Sequence, residues 1–340
     1  MFTLIGKVAS MNALKRLRLR KKLAFITLFL LTLQPIFGQR TTAIGSAQTF
    51  DSGATWEPKL EPIDDTHVLA VWKAGGSATA NPLMARVGQV DTANKTITWG
   101  TASTIESGAF RYGSVLVLNG TTAVIAFEVD AASDYGAAKV ITFSTATDAI
   151  TAIGSSTTFQ VGDVDASFSF DPIHMNKLTG TTLALTFVDE ADNGTVMIGT
   201  VSGTTISFGG QYEFNTNDVQ NHWVTTLAPD KLFITWEDDG GTDQGMAVVG
   251  TISGTTVSFG STVTFESSPV IWTTCQAISS TQAIIGYTLD DANDYGYSKV
   301  ATIAGTSITL EQFYFYSVET GVDTVRLGIG LSPFRIHYRF

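Results

Sequence analysis

One eight-residue stretch reads Ser253-Gly254-Thr255-Thr256-Val257-Ser258-Phe259-Gly260, and it repeats Ser202-Gly203-Thr204-Thr205-Ile206-Ser207-Phe208-Gly209 with a single Val-for-Ile exchange. Glycines in the same register recur along most of the chain, at Gly45, Gly100, Gly154, Gly209 and Gly260. The steps between them are roughly 51 to 55 residues, which is in the range of propeller arrays. A period of this length predicts one supersecondary unit that is copied several times.

Each copy contains a strand that is apolar on both faces. In the five copies this second strand reads Val68–Trp72, Ala123–Phe127, Leu183–Phe187, Leu232–Trp236 and Ala283–Tyr287. A strand with one face in water would alternate between apolar and polar residues, so we expect these strands to be buried on both sides. Small four-stranded sheets that pack face to face around an axis meet this requirement. The sequence therefore predicts an all-β fold, and specifically a β-propeller.

The number of predicted strands indicates the number of blades. Five full four-stranded units are expected to begin near Trp56, Tyr112, His174, Trp223 and Trp272. One strand, 42–50, precedes them, and two strands, 324–331 and 334–340, follow them. We therefore expect one domain over residues 39–340, a six-bladed β-propeller whose closing blade combines the two ends of the chain. The alternative is five blades plus a C-terminal hairpin.

The repeat also resembles known proteins. The stretch from Ile198 to Gly209, which follows a loop rich in Asp, Asn and Gly, resembles the repeats of marine phage structural proteins and of secreted bacterial proteins. The resemblance covers most of residues 43–315. It implies a repeat fold without an established chemistry, so no catalytic residue is carried over from it. At the level of the fold alone, the chain is also similar to sialidase-like propellers.

The N-terminus has the pattern of a secretory signal peptide over residues 1–38. Six basic residues between Lys15 and Lys22 precede an apolar run, Leu23–Leu33, that is too short to span a membrane, and Gly38 offers a cleavage point. An uncleaved membrane anchor is the alternative. We expect a secreted protein, extracellular or periplasmic, with no transmembrane helix in the mature chain.

The charge of the chain excludes some partners. Seven of the 20 Lys and Arg residues and none of the 31 Asp and Glu residues lie before Gln39, so cleavage would lower the net charge from −11 to −18. So acidic a protein is not expected to bind nucleic acid or an anionic membrane. Cys275 is the single cysteine, which excludes a disulfide within the chain and makes a buried thiol the expected state.

Acidic residues gather in the loops that follow the second strands. Hard cations such as calcium bind several oxygen ligands on a tight loop, so these loops are candidate calcium sites. The alternative is that Asp and Asn side chains hydrogen-bond to their own turns. The candidate metal ligands are Asp130, Asp134, Asp189, Asp192, Asp239, Asp243, Asp290 and Asp294.

Aromatic residues recur near the starts of the first strands. In a propeller these starts open on the same rim as the acidic loops. Aromatic rings that stack on sugar faces, with carboxylates to accept from hydroxyls, suit a glycan. The alternative is that the rings only pack between blades. The candidate ligand-binding residues are Trp56, Tyr112, His174, His222, Trp223 and Trp272.

Three functions therefore remain open. The first is a secreted, non-enzymatic binding module whose partner is a glycan or a surface protein, and which needs no cofactor apart from the calcium considered above. The second is a glycan-degrading enzyme of propeller fold, for which no catalytic residue can be named because nothing in the sequence singles out one pair of carboxylates. The third is a structural repeat module of a surface assembly.

Overall fold

The computed structural model describes residues 45–75, 81–108, 110–129, 134–164, 172–291 and 295–313. The chain divides into two compact units, Met1–Ser46 and Ala47–Phe340, and the account below concerns the second unit. Within the described ranges the secondary structure is entirely β, with 23 strands and no helix. The prediction of an all-β fold is therefore confirmed. The same residues contain no helix that is long and apolar enough to cross a membrane.

The strands form three five-stranded antiparallel sheets and one eight-stranded sheet, which follow one another along the chain. The eight-stranded sheet consists of two parts with separate strand pairing, described below as the fourth and fifth sheets. The first sheet contains β1 (Thr55–Pro62), β2 (His67–Ala74), β3 (Leu83–Asp91), β4 (Thr96–Trp99) and β5 (Ser103–Glu106). The second contains β6 (Phe110–Asn119), β7 (Thr122–Val129), β8 (Tyr135–Ser144), β9 (Ala149–Ile153) and β10 (Thr157–Gln160). The third contains β11 (Ile173–Lys177), β12 (Thr182–Val188), β13 (Gly194–Ser202), β14 (Thr205–Phe208) and β15 (Tyr212–Asn215).

The fourth and fifth sheets share one long strand. The fourth contains β16 (Val219–Ala228), β17 (Lys231–Asp238), β18 (Gln244–Ser253), β19 (Thr256–Phe259) and the start of β20 (Val263–Ser279). The fifth contains the rest of β20, with β21 (Gln282–Leu289), β22 (Gly296–Ala304) and β23 (Ser307–Phe313). The first half of β20 pairs with β18 and its second half pairs with β21, so the chain passes between the two sheets without a loop.

In each of the first four sheets the fourth strand is divided into two pieces. The sequence did not predict this division. Both pieces pair with the third strand, as β4 and β5 do with β3. The repeating glycines lie at these breaks, and a Cβ at Gly154 would be 1.9 Å from the carbonyl oxygen of Thr204 in the next sheet. A Cβ at Gly209 would be 2.7 Å from the carbonyl oxygen of Thr255. The period in the sequence thus marks the points where neighbouring sheets approach too closely for any side chain.

Consecutive sheets pack face to face. Four clusters of buried apolar side chains lie between sheets one and two, two and three, three and four, and four and five. The second strands contribute to the clusters on both of their sides, which explains why they are apolar throughout. The first strands contact one another in the order β1, β6, β11, β16 and β20. These features are consistent with a β-propeller-like fold.

A repeated contact joins the third, fourth and fifth sheets to the sheet before each of them, and between the first and second sheets Ile105 takes the place of the phenylalanine. The phenylalanine at the end of a fourth strand packs on the large aromatic residue of the next sheet's second strand. Ring centroids are 5.2 Å apart for Phe159 and Phe187, and the same distance separates Phe214 from Trp236. A third-strand cation supports the contact in two places, where Lys139 and Lys299 each donate to a carbonyl oxygen of the preceding sheet.

The ends of the predicted array differ from expectation or fall outside the description. Residues 45–50, the described part of the strand expected over 42–50, form no strand. Phe50 instead packs by its ring against Trp72 at 5.3 Å and Trp99 at 6.0 Å. The strands expected over 324–331 and 334–340 lie outside the described residues.

Candidate functional site

A cavity of about 390 Å³ lies where the first strands of all five sheets meet. Every first strand contributes to its wall: β1, β6, β11, β16 and the second half of β20. Equivalent positions of successive sheets converge here within the inner strands, whereas the sequence predicted that they converge at the rim. The wall combines apolar, aromatic, amide and charged side chains.

Strand register shows that the wall is built from equivalent positions. The second strand of each sheet has a large aromatic residue near its end, and the residue just before it serves as a reference position. In four sheets, one residue of the first strand pairs with this reference position. We call these four residues the first row: Lys59, Ser114, His174 and Trp223. Because side chains alternate along a strand, the residues two positions later point to the same side. The cavity wall contains three of these, Glu61, Leu116 and Asn176. It also contains Gln276, which stands two positions after Thr274, the corresponding residue of the fifth sheet, and we call these four residues the second row.

An aromatic cluster stands on the β11–β16 side of the cavity. The ring centroids of His174 and Trp223 are 4.3 Å apart, and those of His174 and His222 are 4.9 Å apart at an interplanar angle of 84°. His222 is fully buried, whereas His174 and Trp223 are half-buried and reach the cavity. Two of the six aromatic and histidine residues predicted to bind a ligand therefore lie in the wall, with a third directly behind them.

The polar side chains of the second row differ in how they are engaged. Asn176 links two sheets, because its amide donates to the Val224 carbonyl at 3.3 Å and accepts from the Thr226 N–H at 3.2 Å. Glu61 is half-buried at the cavity, and burial raises the pKa of its carboxyl from 4.5 to about 7. Near neutrality Glu61 can therefore both donate and accept a hydrogen bond.

The other predicted aromatic residues do not share this position. Trp56 is 55% exposed and pairs with Lys73, before an irregularity in β1. Trp272 lies inside the corresponding irregularity of β20, with a φ of 58°. Tyr112 lies on β6, and its side chain is outside the described residues. The six candidates thus occupy several register positions, and the structure does not bring them together as one ring.

The acidic loops also fall into different classes. Asp189 accepts hydrogen bonds from the N–H groups of Ala191 at 2.9 Å and Asn193 at 3.0 Å, so it holds its own turn. Asp192 follows in that turn with a φ of 60°. This is the turn chemistry that the sequence offered as the alternative to calcium. Two further candidates, Asp130 and Asp294, lie outside the described residues.

Several carboxylates lie close together at the C-terminal end of β17. Burial raises the pKa of Glu237 to about 7, although Asn221 donates to its carboxylate at 2.6 Å, and the charges of Asp239, Asp243 and Asp290 raise it further. Burial also raises the pKa of Asp239 to about 6, and a hydrogen bond with Asp243 adds to the effect. Three of the predicted metal ligands, Asp239, Asp243 and Asp290, therefore lie near the buried Glu237.

A second group of carboxylates lies in the second sheet. Glu128, Asp134 and Asp163 each offer an oxygen, and these atoms lie within 4.8 Å of one another, which is close enough to hold a metal ion. Sequence reasoning named Asp134 but missed the other two. Glu128 belongs to a strand that otherwise reads as apolar, and Asp163 follows the fourth strand of the same sheet, so only the folded sheet brings them together.

Comparison with known proteins identifies similar structures but no family. No family model and no curated protein matches the sequence. The structure of YjhT matches with a TM-score of 0.45 and 9% identity, over 78% of this chain and 86% of that one. A prolyl endopeptidase matches at 0.44 and 11% over 76% and 35%, and the NanB sialidase from Streptococcus pneumoniae at 0.40 and 9% over 62% and 33%. Similarity at this level assigns no function.

Proposed function

We propose that this protein is a secreted, non-enzymatic binding module that holds a glycan in the cavity between the first strands. The observation that carries the proposal is the two-row wall, in which equivalent positions of several sheets place an aromatic face and hydrogen-bonding groups around one space. Binding sites for small ligands are typically concave, with a few convergent polar groups that set orientation.

The chemistry of the wall favours a sugar over other small ligands. Trp223 offers an aromatic surface for the apolar face of a pyranose ring. Lys59, Gln276 and Ser114 offer donors, and the Glu61 carboxyl can donate or accept, which matches the paired donor and acceptor character of hydroxyl groups. A surface protein would need a wide patch, and the cavity is a recess of about 390 Å³.

Titration of the purified chain with neutral and acidic oligosaccharides tests the proposal. Binding would be measured by calorimetry and by tryptophan fluorescence, with and without calcium because the acidic loops are candidate cation sites. We expect Trp223→Leu to weaken binding about tenfold or more, the scale of a lost aromatic contact. The matched control is Trp56→Leu, because Trp56 lies outside the cavity wall and its loss should leave the affinity unchanged.

Two results would count against the cavity as the glycan site. One is the absence of any heat or fluorescence response across the whole panel. The other is a loss of binding in Trp56→Leu but not in Trp223→Leu, which would move the site to the rim that the sequence suggested.

An enzyme of the same fold would need two carboxyl groups roughly 5 to 9.5 Å apart. Among the described residues of the wall, Glu61 supplies one, so a binding module is the function that we propose.

We also infer that the five sheets belong to a ring of six. Phe50 contacts Trp72 and Trp99 of the first sheet just as Phe159 contacts Phe187 and Phe208 of the third. The residues around it repeat the other contacts between sheets. Trp72 donates to Asp51 at 2.6 Å, as Tyr287 donates to Glu266 at 3.0 Å, and Arg86 donates to the Phe50 carbonyl as Lys139 does to that of Ile105.

This N-terminal segment thus takes the place of a fourth strand from a sheet before the first. The first strands β1 and β20 support the same conclusion, because no contact as extensive as those between neighbouring first strands joins them among the described residues. In a ring of six, a sixth sheet would stand between them, whereas in the alternative arrangement, five blades with an appended hairpin, β1 and β20 would be neighbours.

A further inference from the structure

One face of β1 is apolar and exposed, although the same face is buried in later sheets. Leu60 is 56% exposed, and the residues at the equivalent position of the fourth and fifth sheets, Val224 and Cys275, are each 1% exposed. Those two residues belong to the apolar clusters shared with the preceding sheet. Leu60 therefore occupies a position that this repeat uses to contact the sheet before it.

The exposed face extends over the second half of the strand. Pro58, Leu60 and Pro62 are exposed and alternate with the half-buried Lys59 and Glu61, so the three apolar residues lie on one side. The two prolines have no N–H group, which makes β1 a poor edge for pairing with another strand. A partner for this surface is therefore expected to pack on the face of the strand through side chains.

We infer that residues 324–340 of this same chain cover this face of β1. The inference rests on the six-sheet ring proposed above and names the segment that completes it. In the ring, the sixth sheet packs on the first sheet, as the first sheet packs on the second and the second on the third. The segment would supply the first two strands of this sixth sheet.

Each of the two stretches of the segment has one apolar face that can pack on the exposed face of β1. Apolar residues alternate over 324–331, at Val325, Leu327, Ile329 and Leu331, and again over 334–340, at Phe334, Ile336, Tyr338 and Phe340. Ile336 and Tyr338 have the same spacing as Ile285 and Tyr287 of β21, with His337 in the place of Gly286.

Docking of this segment leaves the proposed glycan site in place. Lys59 and Glu61 point to the other side of β1 from Leu60, so the rows that line the cavity stay accessible. The segment would withdraw only Leu60 and Pro58 from the cavity wall. The two proposals therefore concern different faces of one strand and can fail separately.

A photo-reactive amino acid at position 60 of the full chain tests the inference. We expect irradiation to give a cross-link within one chain, mapped by mass spectrometry to residues 324–340. The matched control carries the same amino acid at position 161, because Val161 is 82% exposed and lies away from β1, and it should give no cross-link to this segment.

Isotope-labelled and unlabelled chains are mixed before irradiation so that cross-links between molecules can be recognised. Cross-links that join two chains would overturn the inference in favour of a second copy on this face, and cross-links to residues 1–44 would assign the face to the other end of the chain. A Leu60→Asp variant gives a second measurement: we expect a melting temperature several degrees lower, and an unchanged value would contradict a covered face. Loss of glycan binding by Trp223→Leu affects neither result.

Discussion

Glu61 shows how one residue can couple the cavity to pH. Its carboxyl ionises near 4.5 in the unfolded chain and near 7 in the folded one, because burial disfavours the charged form. Between these values the folded state binds more protons, so stability falls as pH rises from about 4.5 to 7. The shift corresponds to about 3–4 kcal/mol at most.

We predict that Glu61→Gln removes this part of the pH dependence. Urea unfolding at pH 5 and pH 8 should show a smaller loss of stability with rising pH than the parent protein shows. The matched control is Glu213→Gln, because Glu213 is exposed on β15 and its replacement should leave the difference between the two pH values unchanged. An equal pH dependence in Glu61→Gln and the parent would mean that Glu61 is solvated in the folded protein.

Cys275 gives a second test at the scale of one residue. Burial raises the pKa of its thiol to about 12, and the sulfur lies 3.7 Å from the carbonyl oxygens of Trp223 and Phe233. Because the thiolate is the reactive form, we predict that iodoacetamide at pH 8 leaves the native protein unlabelled and modifies it fully in urea. Mass spectrometry measures both states. Rapid, complete labelling without denaturant would contradict the packing between the fourth and fifth sheets.

Single residues also show how far the sequence could locate the cavity. The repeat pointed to His174 and Trp223, and both line the cavity wall, whereas their part in binding stays a prediction. It placed Trp56 and Trp272 at the same offset, but the first strands contain irregularities with left-handed residues such as Asn221, at a φ of 44°. An extra residue of this kind changes which side chains point inward. Counting along the sequence cannot detect it, because only the pairing with the second strand reveals the register.

At the scale of the element, the second strands were predictable and the fourth strands only in part. A strand between two packed sheets must be apolar on both faces, and that pattern is visible without a structure. The break in the fourth strand is not visible in the same way, because the repeating glycine alone does not indicate what it approaches. The fold shows that it faces the turn between the third and fourth strands of the next sheet.

We predict that Gly154→Ala destabilises the protein by at least about 2 kcal/mol, because the added methyl group would collide with the Thr204 carbonyl oxygen and force the two sheets apart. Chemical denaturation measures the change. The matched control is Gly113→Ala on β6, where a Cβ meets no atom within 4 Å. Equal stability of the two variants would show that the second and third sheets are farther apart than described here.

At the scale of the whole molecule, the stability of the array depends on whether the sheets at its two ends are covered. Each inner sheet has a neighbour on both sides, and stability in such arrays is approximately the sum of the sheets and their interfaces. An open array would leave one apolar face of the first sheet and one of the fifth in water. The side-chain contacts of Phe50 reproduce an interface that the array otherwise forms only between successive sheets. The contacts of Phe50 therefore make this residue part of the packed array, although Phe50 belongs to no strand.

Replacement of Phe50 tests whether that interface contributes to the stability of the whole domain. Phe50 is half-buried, so we predict that Phe50→Ala lowers the free energy of unfolding by about 2 kcal/mol, less than the 3–5 kcal/mol expected for a fully buried phenylalanine. Phe214→Ala, which breaks the equivalent contact with Trp236, is the internal comparison and should have the larger effect. Val161→Ala, at a highly exposed site, should change stability by less than about 0.5 kcal/mol. If Phe50→Ala behaves like Val161→Ala, the segment is a loose tail and the ring must be closed in another way.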